Sequence, residues 1–333
     1  MSVLSWILTR WPGTRLVAVS AAILAVLAGA GCGSRAAAAG AAAPEKRDLV
    51  IAAVPTASSA GLYVAQREGF FRNAGLNVKI VSVGSGADVT AGLLNGSVDV
   101  LNGAYAGLIE AEVHGAGRFH ILSDGYADAP GVDEIVVVPG SGITSATQLA
   151  GRTVAVNALN SVAALLVSSA LESQGVPPPK VHLVAIPFPA MPSALRAHRV
   201  DAAYLAEPYL SQAEVQNGGE GLIDVNTGAT QDFPIDGYVA TVGWCRRYPR
   251  TAAAVAQAID RGQALADTSR PLVERVLHAY TSISTQTAAI MALGDFPTTV
   301  DLTHLQRVPD LMQSFGQLTE HFDISAMTSP VGS

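Results

Sequence analysis

From residue 48 onward, short β-branched or aliphatic runs alternate with longer stretches of helical spacing. Residues 49–54 read as a buried strand closed by Pro55. Ser58 or Ser59 is placed to cap a helix running to about Asn73, where Gly75 stops it. Residues 78–83 form the next strand, and Gly84-Ser85-Gly86 leads into a helix that ends near Gly96. A third strand at 98–101 and a third helix at 105–114 follow. The pattern restarts after residue 133. Strands are expected at 135–138, 153–156, 181–186, 201–204, 222–225 and 238–242, and helices at 161–174, 192–198 and 208–217. Residues 249–322 are mostly helical in pattern, with breaks near 269–271 and 295–297. No tandem repeat of fixed period is present. Strands alternating with helices predict an α/β protein whose sheets are mostly parallel and covered on both faces. Two such units span 48–134 and 139–235, joined by extended segments. The terminal helices are expected to return and cover the first unit.

Composition narrows this picture. A chain of 333 residues can hold two ordinary domains. Its charged fraction is 14% against 49% hydrophobic, so a large core is available and wholesale disorder is excluded. The net charge of −7 argues against a nucleic-acid-binding surface. Two cysteines cannot build a disulfide scaffold, and no Cys/His spacing reads as a zinc site.

The N-terminus reads as an address. Arg10 and Arg15 precede an unbroken run of apolar and small residues over 16–31. That run is shorter than the roughly 20 residues of a membrane-spanning helix. It ends at Leu27-Ala28-Gly29-Ala30-Gly31-Cys32, which resembles a bacterial lipoprotein signal with Cys32 as the lipidated residue. Gly29 departs from the larger aliphatic residue that such signals favour three positions before the cysteine. Removing residues 1–31 takes away two positive charges, leaving 18 Lys and Arg against 27 Asp and Glu, a net of −9. Residues 32–47, rich in alanine and glycine, are expected to be a flexible tether.

Several phrases in the body form a recognisable order. Glu68-Gly69-Phe70-Phe71 closes a helix ahead of Gly75-Leu76 and a strand. Leu94-Asn95-Gly96 precedes Val98-Asp99-Val100. Leu149-Ala150-Gly151-Arg152 precedes Thr153-Val154, and Val200-Asp201-Ala202 leads to Glu207-Pro208-Tyr209. Across about residues 48–322 the chain resembles the solute-binding proteins of ABC importers, in the nitrate/sulfonate/taurine and thiamine-pyrimidine-precursor family. The resemblance implies a type II periplasmic-binding-protein fold, with two lobes joined by two crossing strands and a ligand cleft that closes between them. The crossings would fall at about 133–138 and 236–242. Lobe 1 would comprise 48–134 plus 240–333, and lobe 2 residues 135–239. The implied partners are a small-molecule solute, an ABC permease with its ATPase, and the bacterial cell membrane through a lipid on Cys32. The resemblance also implies an extracytoplasmic monomer.

Ligands of open α/β sheets bind outside the carboxyl ends of the strands. Those loops are 55–60, 84–88, 102–107, 157–162, 187–193, 206–211 and 232–238. None contains Lys or Arg. They supply candidate ligand contacts at Thr56, Ser58, Ser59, Ser85, Asn102, Tyr105, Asn160, Ser161, Phe188, Glu207, Tyr209, Asp236 and Tyr238. Without an arginine fork, nitrate and small sulfonates are disfavoured. Aromatic, amide and carboxylate groups suit a flat ring with donor groups, pyrimidine- or flavin-like. Each residue also has a plainer role: the tyrosines can pack the lobes, and Asn160-Ser161 can cap a helix.

Catalytic patterns are missing. There is no Gly-x-Ser-x-Gly elbow, no phosphate loop and no His-Glu-x-x-His. His114, His198 and His278 read as surface residues, Trp244 as core and Cys245 as a buried thiol. The chain is therefore expected to bind a solute without an enzymatic step, a metal or a cofactor; an exported sensor or enzyme on the same scaffold is the alternative. Alanine at Tyr105 or Glu207 is expected to weaken binding without unfolding the protein.

Overall fold

The computed structural model describes residues 43–84 and 86–328. The signal segment, Cys32 and Ser85 lie outside the described residues. No helix among the described residues is long and apolar enough to cross a membrane.

Two five-stranded sheets organise the molecule. The first contains β1 (Asp48–Ala53), β2 (Asn77–Ser82), β3 (Val100–Ala104) and β4 (Phe119–Ala127). The second contains β5 (Asp133–Val137), β6 (Thr153–Val156), β7 (His182–Ala185), β8 (Ala202–Ala206) and β9 (Glu220–Asp224). The chain then returns to the first sheet as β10 (Pro234–Thr241). The strand orders are β2-β1-β3-β10-β4 and β7-β6-β8-β5-β9. In each sheet three strands run parallel, and the last two join antiparallel. Both lobes thus take as their fourth strand one delivered from the other lobe. This is the two-lobe periplasmic-binding-protein architecture, with the expected parallel pairing confined to three strands per sheet.

The strands expected as crossings are placed inside the sheets, as β5 and β10. The passages themselves are the residues just before them, 128–132 and 225–233. The passages run side by side, with Asp128 N–H donating to the Phe233 carbonyl at 2.8 Å and Val225 N–H to that of Asp133 at 3.2 Å. The β10 ladder pairs Asp236 with Ala104 and Tyr238 with Asn102. Residues 234–239 therefore lie in the first sheet, whereas the sequence reading left them in lobe 2. β4 is a nine-residue strand that the sequence pattern did not announce.

Local chemistry explains the elements. The helix expected up to Asn73 is divided into Ala60–Arg67 and Phe70–Asn73, because Gly69 adopts a left-handed φ of 74° between them. Gly75, at φ 77°, then lets Leu76 N–H return to the Phe71 carbonyl at 2.9 Å. The helix Val162–Ser173 is capped by Ser161, whose Oγ accepts from Ala164 N–H. The helices Pro249–Thr268 and Arg270–Leu277 return to the first lobe, where Val255 and Ile259 pack with Ile51, Leu62 and Phe71. Trp244 is half-buried rather than core, and its Nε1–H donates to Asp99 at 2.8 Å.

The tether is shorter than expected. Glu45 accepts from Thr251 N–H at 2.9 Å, Lys46 pairs with buried Asp99 at 2.5 Å, and Arg47 accepts from Asn77 N–H. Residues 45–47 are therefore docked on the first lobe, because their polar groups find partners there.

The helices Ala60–Arg67 and Pro249–Thr268 cross where both backbones lack a side chain. A Cβ on Gly262 would collide with the Gly61 carbonyl oxygen and the Ala65 backbone. Gly262→Ala is expected to cost about 1–3 kcal/mol, read as a lowered urea midpoint at unchanged slope; an unchanged midpoint would contradict the close crossing.

Candidate functional site

The strand ends of the two sheets face each other across a cavity of about 70 Å³. From the first lobe it is lined by Thr56, Ala57 and Ser58 after β1, Asn102 and Ala104 of β3, Tyr126 of β4, and Ile235 and Asp236 of β10. From the second come Asp133, Asn157, Val162, Phe188, Tyr204 and Glu207. A further cavity of about 300 Å³ adjoins it, sharing Val54, Asn102, Ala104 and Asn157. That outer chamber adds Thr90, Glu110, His114, Asn160 and Ser161. Neither lining contains Lys or Arg.

The inner wall is a chain of polar contacts ending on carboxylates. Ser59 Oγ donates to the Asn102 amide oxygen at 2.7 Å, which fixes that amide; Asn102 Nδ2–H then donates to Asp236 Oδ1 at 3.0 Å. Thr56 and Ser58 hydroxyls lie 2.9 Å apart, and Ser58 also bonds the Asp236 carboxyl. Tyr204 OH donates to Asp133 Oδ2 at 2.8 Å. Glu207 Oε1 accepts from Ser211 Oγ–H at 2.7 Å and from Ala292 N–H at 3.1 Å, and Oε2 accepts from Ser211 N–H. The Glu207 carbonyl accepts from Ala57 N–H of the first lobe at 2.8 Å.

Burial sets the electrostatics. It pushes the Asp236 carboxyl up to about 6 against the pull of Ser58 and Asn102. Glu207 is pushed up to about 7, again by burial, with Ser211 and the Ala292 N–H opposing. Asp133 and its neighbour Asp128 both rise well above the carboxylate range, through burial and, for Asp128, the charge of Asp133.

The segment 291–295 straps this region. Ala292 bonds Glu207, Gly294 N–H donates to Tyr126 OH at 2.5 Å, and Asp295 bridges Ala127 at the end of β4. At the cleft mouth Asn160 Nδ2–H donates to Glu110 Oε1 at 3.0 Å, linking the two lobes.

Of the sequence candidates, Thr56, Ser58, Asn102, Phe188, Glu207 and Asp236 line the inner cavity, and Asn160 and Ser161 line the outer one. Four others line neither. Ser59 lies behind Asn102. Tyr209 backs Phe188, with the rings stacked 6.0 Å apart. Tyr238 is fully buried, its hydroxyl 3.5 Å from Gln263 Oε1. Tyr105 is fully buried and donates to Asp124 at 2.5 Å. Tyr105→Ala would therefore excavate the core, contrary to the expectation of intact folding. Ser85 lies outside the described residues. His114, read as a surface residue, is exposed but also lines the outer chamber. Tyr126, Asp133, Asn157, Tyr204 and Ile235 were missed. Asn157 and Ile235 stood in loops already marked as cleft-facing; Tyr126, Asp133 and Tyr204 sit within strands, where the search for loop residues could not find them.

The family model described as NMT1/THI5 like matches residues 56–268, well over half of the chain. No curated protein matches the chain in sequence. Among solved structures, the ligand-binding component of an ABC-type import system from Staphylococcus aureus, with zinc bound, superposes with a TM-score of 0.72 at 16% identity, covering 86% of this chain and 97% of that one. The periplasmic aliphatic sulphonate binding protein from Escherichia coli gives 0.68 at 19% identity, covering 85% and 97%. The desulfurization enzyme DszB gives 0.63 at 18% identity, covering 86% and 97%. Identities this low carry the fold and leave the ligand open.

The raised carboxyls predict an acid-favoured stability. In the unfolded chain they ionise near about 4, while Asp236 and Glu207 ionise near 6 and 7 when folded. The folded state holds more protons across that window, so stability is lost as pH rises through it. The ligand-free protein is expected to gain about 2–4 kcal/mol between pH 8 and 5, and Asp236→Asn to reduce the gain. Urea midpoints across this range check it; a curve that Asp236→Asn leaves unaltered would contradict the assignment.

Proposed function

The chain belongs to the NMT1/THI5-like family, and we propose that within it this protein is the extracytoplasmic solute-binding component of an ABC importer, delivering a small ring compound to a permease and its ATPase. The observation that carries the reading is the inner cavity, walled by both lobes, lined by Phe188, Tyr126 and Tyr204, and bearing three carboxyls with no cationic side chain. A fork-shaped cation is what a nitrate or sulfonate group would call for. Aromatic faces with acceptors suit a pyrimidine- or flavin-like ring.

Binding is favoured over turnover. The one described thiol, Cys245, is buried in the helix Val242–Arg247, away from both cavities, and burial pushes it up to about 12. Among the described residues no group of three or more His, Cys, Asp and Glu is arranged to hold a metal ion. The leader that precedes Cys32 supports export and lipid attachment to the bacterial cell membrane. The working unit is a monomer whose lobes close on the solute, since closure requires only that the ligand prefer the closed state.

A thermal-shift screen on the full chain, stripped of carried ligand by one cycle of unfolding and refolding, tests this. Ligand at 100 times its dissociation constant stabilises by about 2.7 kcal/mol. Aminopyrimidines, thiamine or riboflavin are expected to give the shift, and Phe188→Ala to abolish it. A shift with nitrate, taurine or alkanesulfonates alone would overturn the ring assignment, and chemical conversion of the compound would overturn the receptor.

A further inference from the structure

We propose that the solute in the inner cavity is an organic cation, an aromatic amine or amidine, and that the wall selects it over neutral rings of the same shape. The proposal deepens the receptor reading above and rests on it.

The inventory of hydrogen-bonding groups points this way. Three donors at the wall are spent on carboxyls: one Asn102 Nδ2–H and the Ser58 hydroxyl on Asp236, and Tyr204 OH on Asp133. Acceptor capacity is left over at the same wall. Asn157 Oδ1, on the border of the two chambers, is buried with no hydrogen-bond partner. A buried acceptor left unpaired costs free energy that an N–H group from a ligand would recover. A ligand that brings N–H donors meets that acceptor and the carboxyl oxygens beside it. Phe188, held flat against Tyr209, offers a ring face, which attracts a cation in a dry site.

Charge agrees with this inventory. Asp133 faces Asp128, Asp224, Asp236 and Tyr204. Asp236 faces Asp124, Tyr105 and Tyr238. Glu207 faces Glu214 and Tyr126. Among the described residues His304 bears on Asp124, and no Lys or Arg lines either cavity. Below about pH 6–7 protons occupy Asp236 and Glu207 when no cation is bound; a cation takes their place, so binding in that range releases protons and strengthens as pH rises.

The test is calorimetric titration of the stripped full chain with two matched pairs, benzamidine against benzamide and benzylamine against benzyl alcohol. At about pH 7.5 each cation is expected to bind at least about tenfold tighter than its neutral partner, the effect of moving one carboxyl by about one unit. Titration near about pH 6 in buffers of different ionisation enthalpy should show proton release, and affinity for the cations should fall towards about pH 5.5. Asp236→Asn is expected to erase most of the preference, with Asp133→Asn as the second variant should the first fail to fold. Equal or tighter binding of the neutral members, or a preference that both variants leave intact, would overturn the cation assignment and leave the receptor standing. If neither cation binds at millimolar concentration while a neutral ring in the earlier screen does, the cation assignment alone fails. Silence from every compound in both experiments would sink the receptor reading with it.

Discussion

The pairing of β10 between β3 and β4 is the constraint on which the rest of the molecule depends. β10 is a central strand of the first sheet, yet the chain reaches it only after building the second lobe. It sets Tyr238 opposite Asn102, residues more than a hundred positions apart. The sheet cannot close until that long loop has been paid for in entropy. The same register brings the Asp236 carboxyl to the Asn102 amide. A long-range closure of the fold and the polar wall of the cavity are thus one event, and β5 repeats the arrangement in reverse for the second lobe.

The cavity lives with an electrostatic cost. Three carboxyls line it and a fourth, Asp128, stands behind, with no basic side chain among the lining residues. Replacing the set with apolar residues would stabilise the fold, as buried charge generally does not repay its desolvation. Such groups make sense where something enters to meet them. The hydroxyl and amide donors that hold Asp133, Asp236 and Glu207 keep the oxygens aimed, so little reorganisation is left for a ligand to bring about.

Much of the fold was legible in the sequence. Gly69 and Gly75 marked the turns around Phe70-Phe71, Ser161 marked its helix, and the alternation of runs marked two α/β units. β4 escaped because Ser123-Asp124-Gly125 interrupts its apolar run; Asp124 is accommodated there by Tyr105 OH and Gly125 N–H, which both donate to its carboxyl. The antiparallel fourth strands were hidden for a related reason: nothing local distinguishes a strand delivered from the other lobe. At the site, residues on loops after parallel strands were found, Thr56, Ser58, Phe188 and Glu207 among them. Tyr126, Asp133 and Tyr204 were not, because a strand residue's side is set by register across the sheet. Tyr105 and Tyr238 neighbour the right loops but are buried in two separate cores of the first lobe, Tyr105 with Ala52 and Leu101 and Tyr238 with Ile51 and Val100.

One feature of the C-terminal region bears on motion. Two passages running side by side between the lobes act as an axle, about which rotation is cheap. The strap at 291–295 lies off that axle, anchored to the end of β4 by Asp295 and reaching Glu207 of the second lobe through Ala292. An attachment off the axle is a stop. To swing wide, the second lobe has to let go of the Ala292 N–H or pull the strap away from β4. The latitude of the opening is therefore governed by a short stretch of chain more than fifty residues beyond β10, in a part of the sequence that contributes no side chain to the cavity wall.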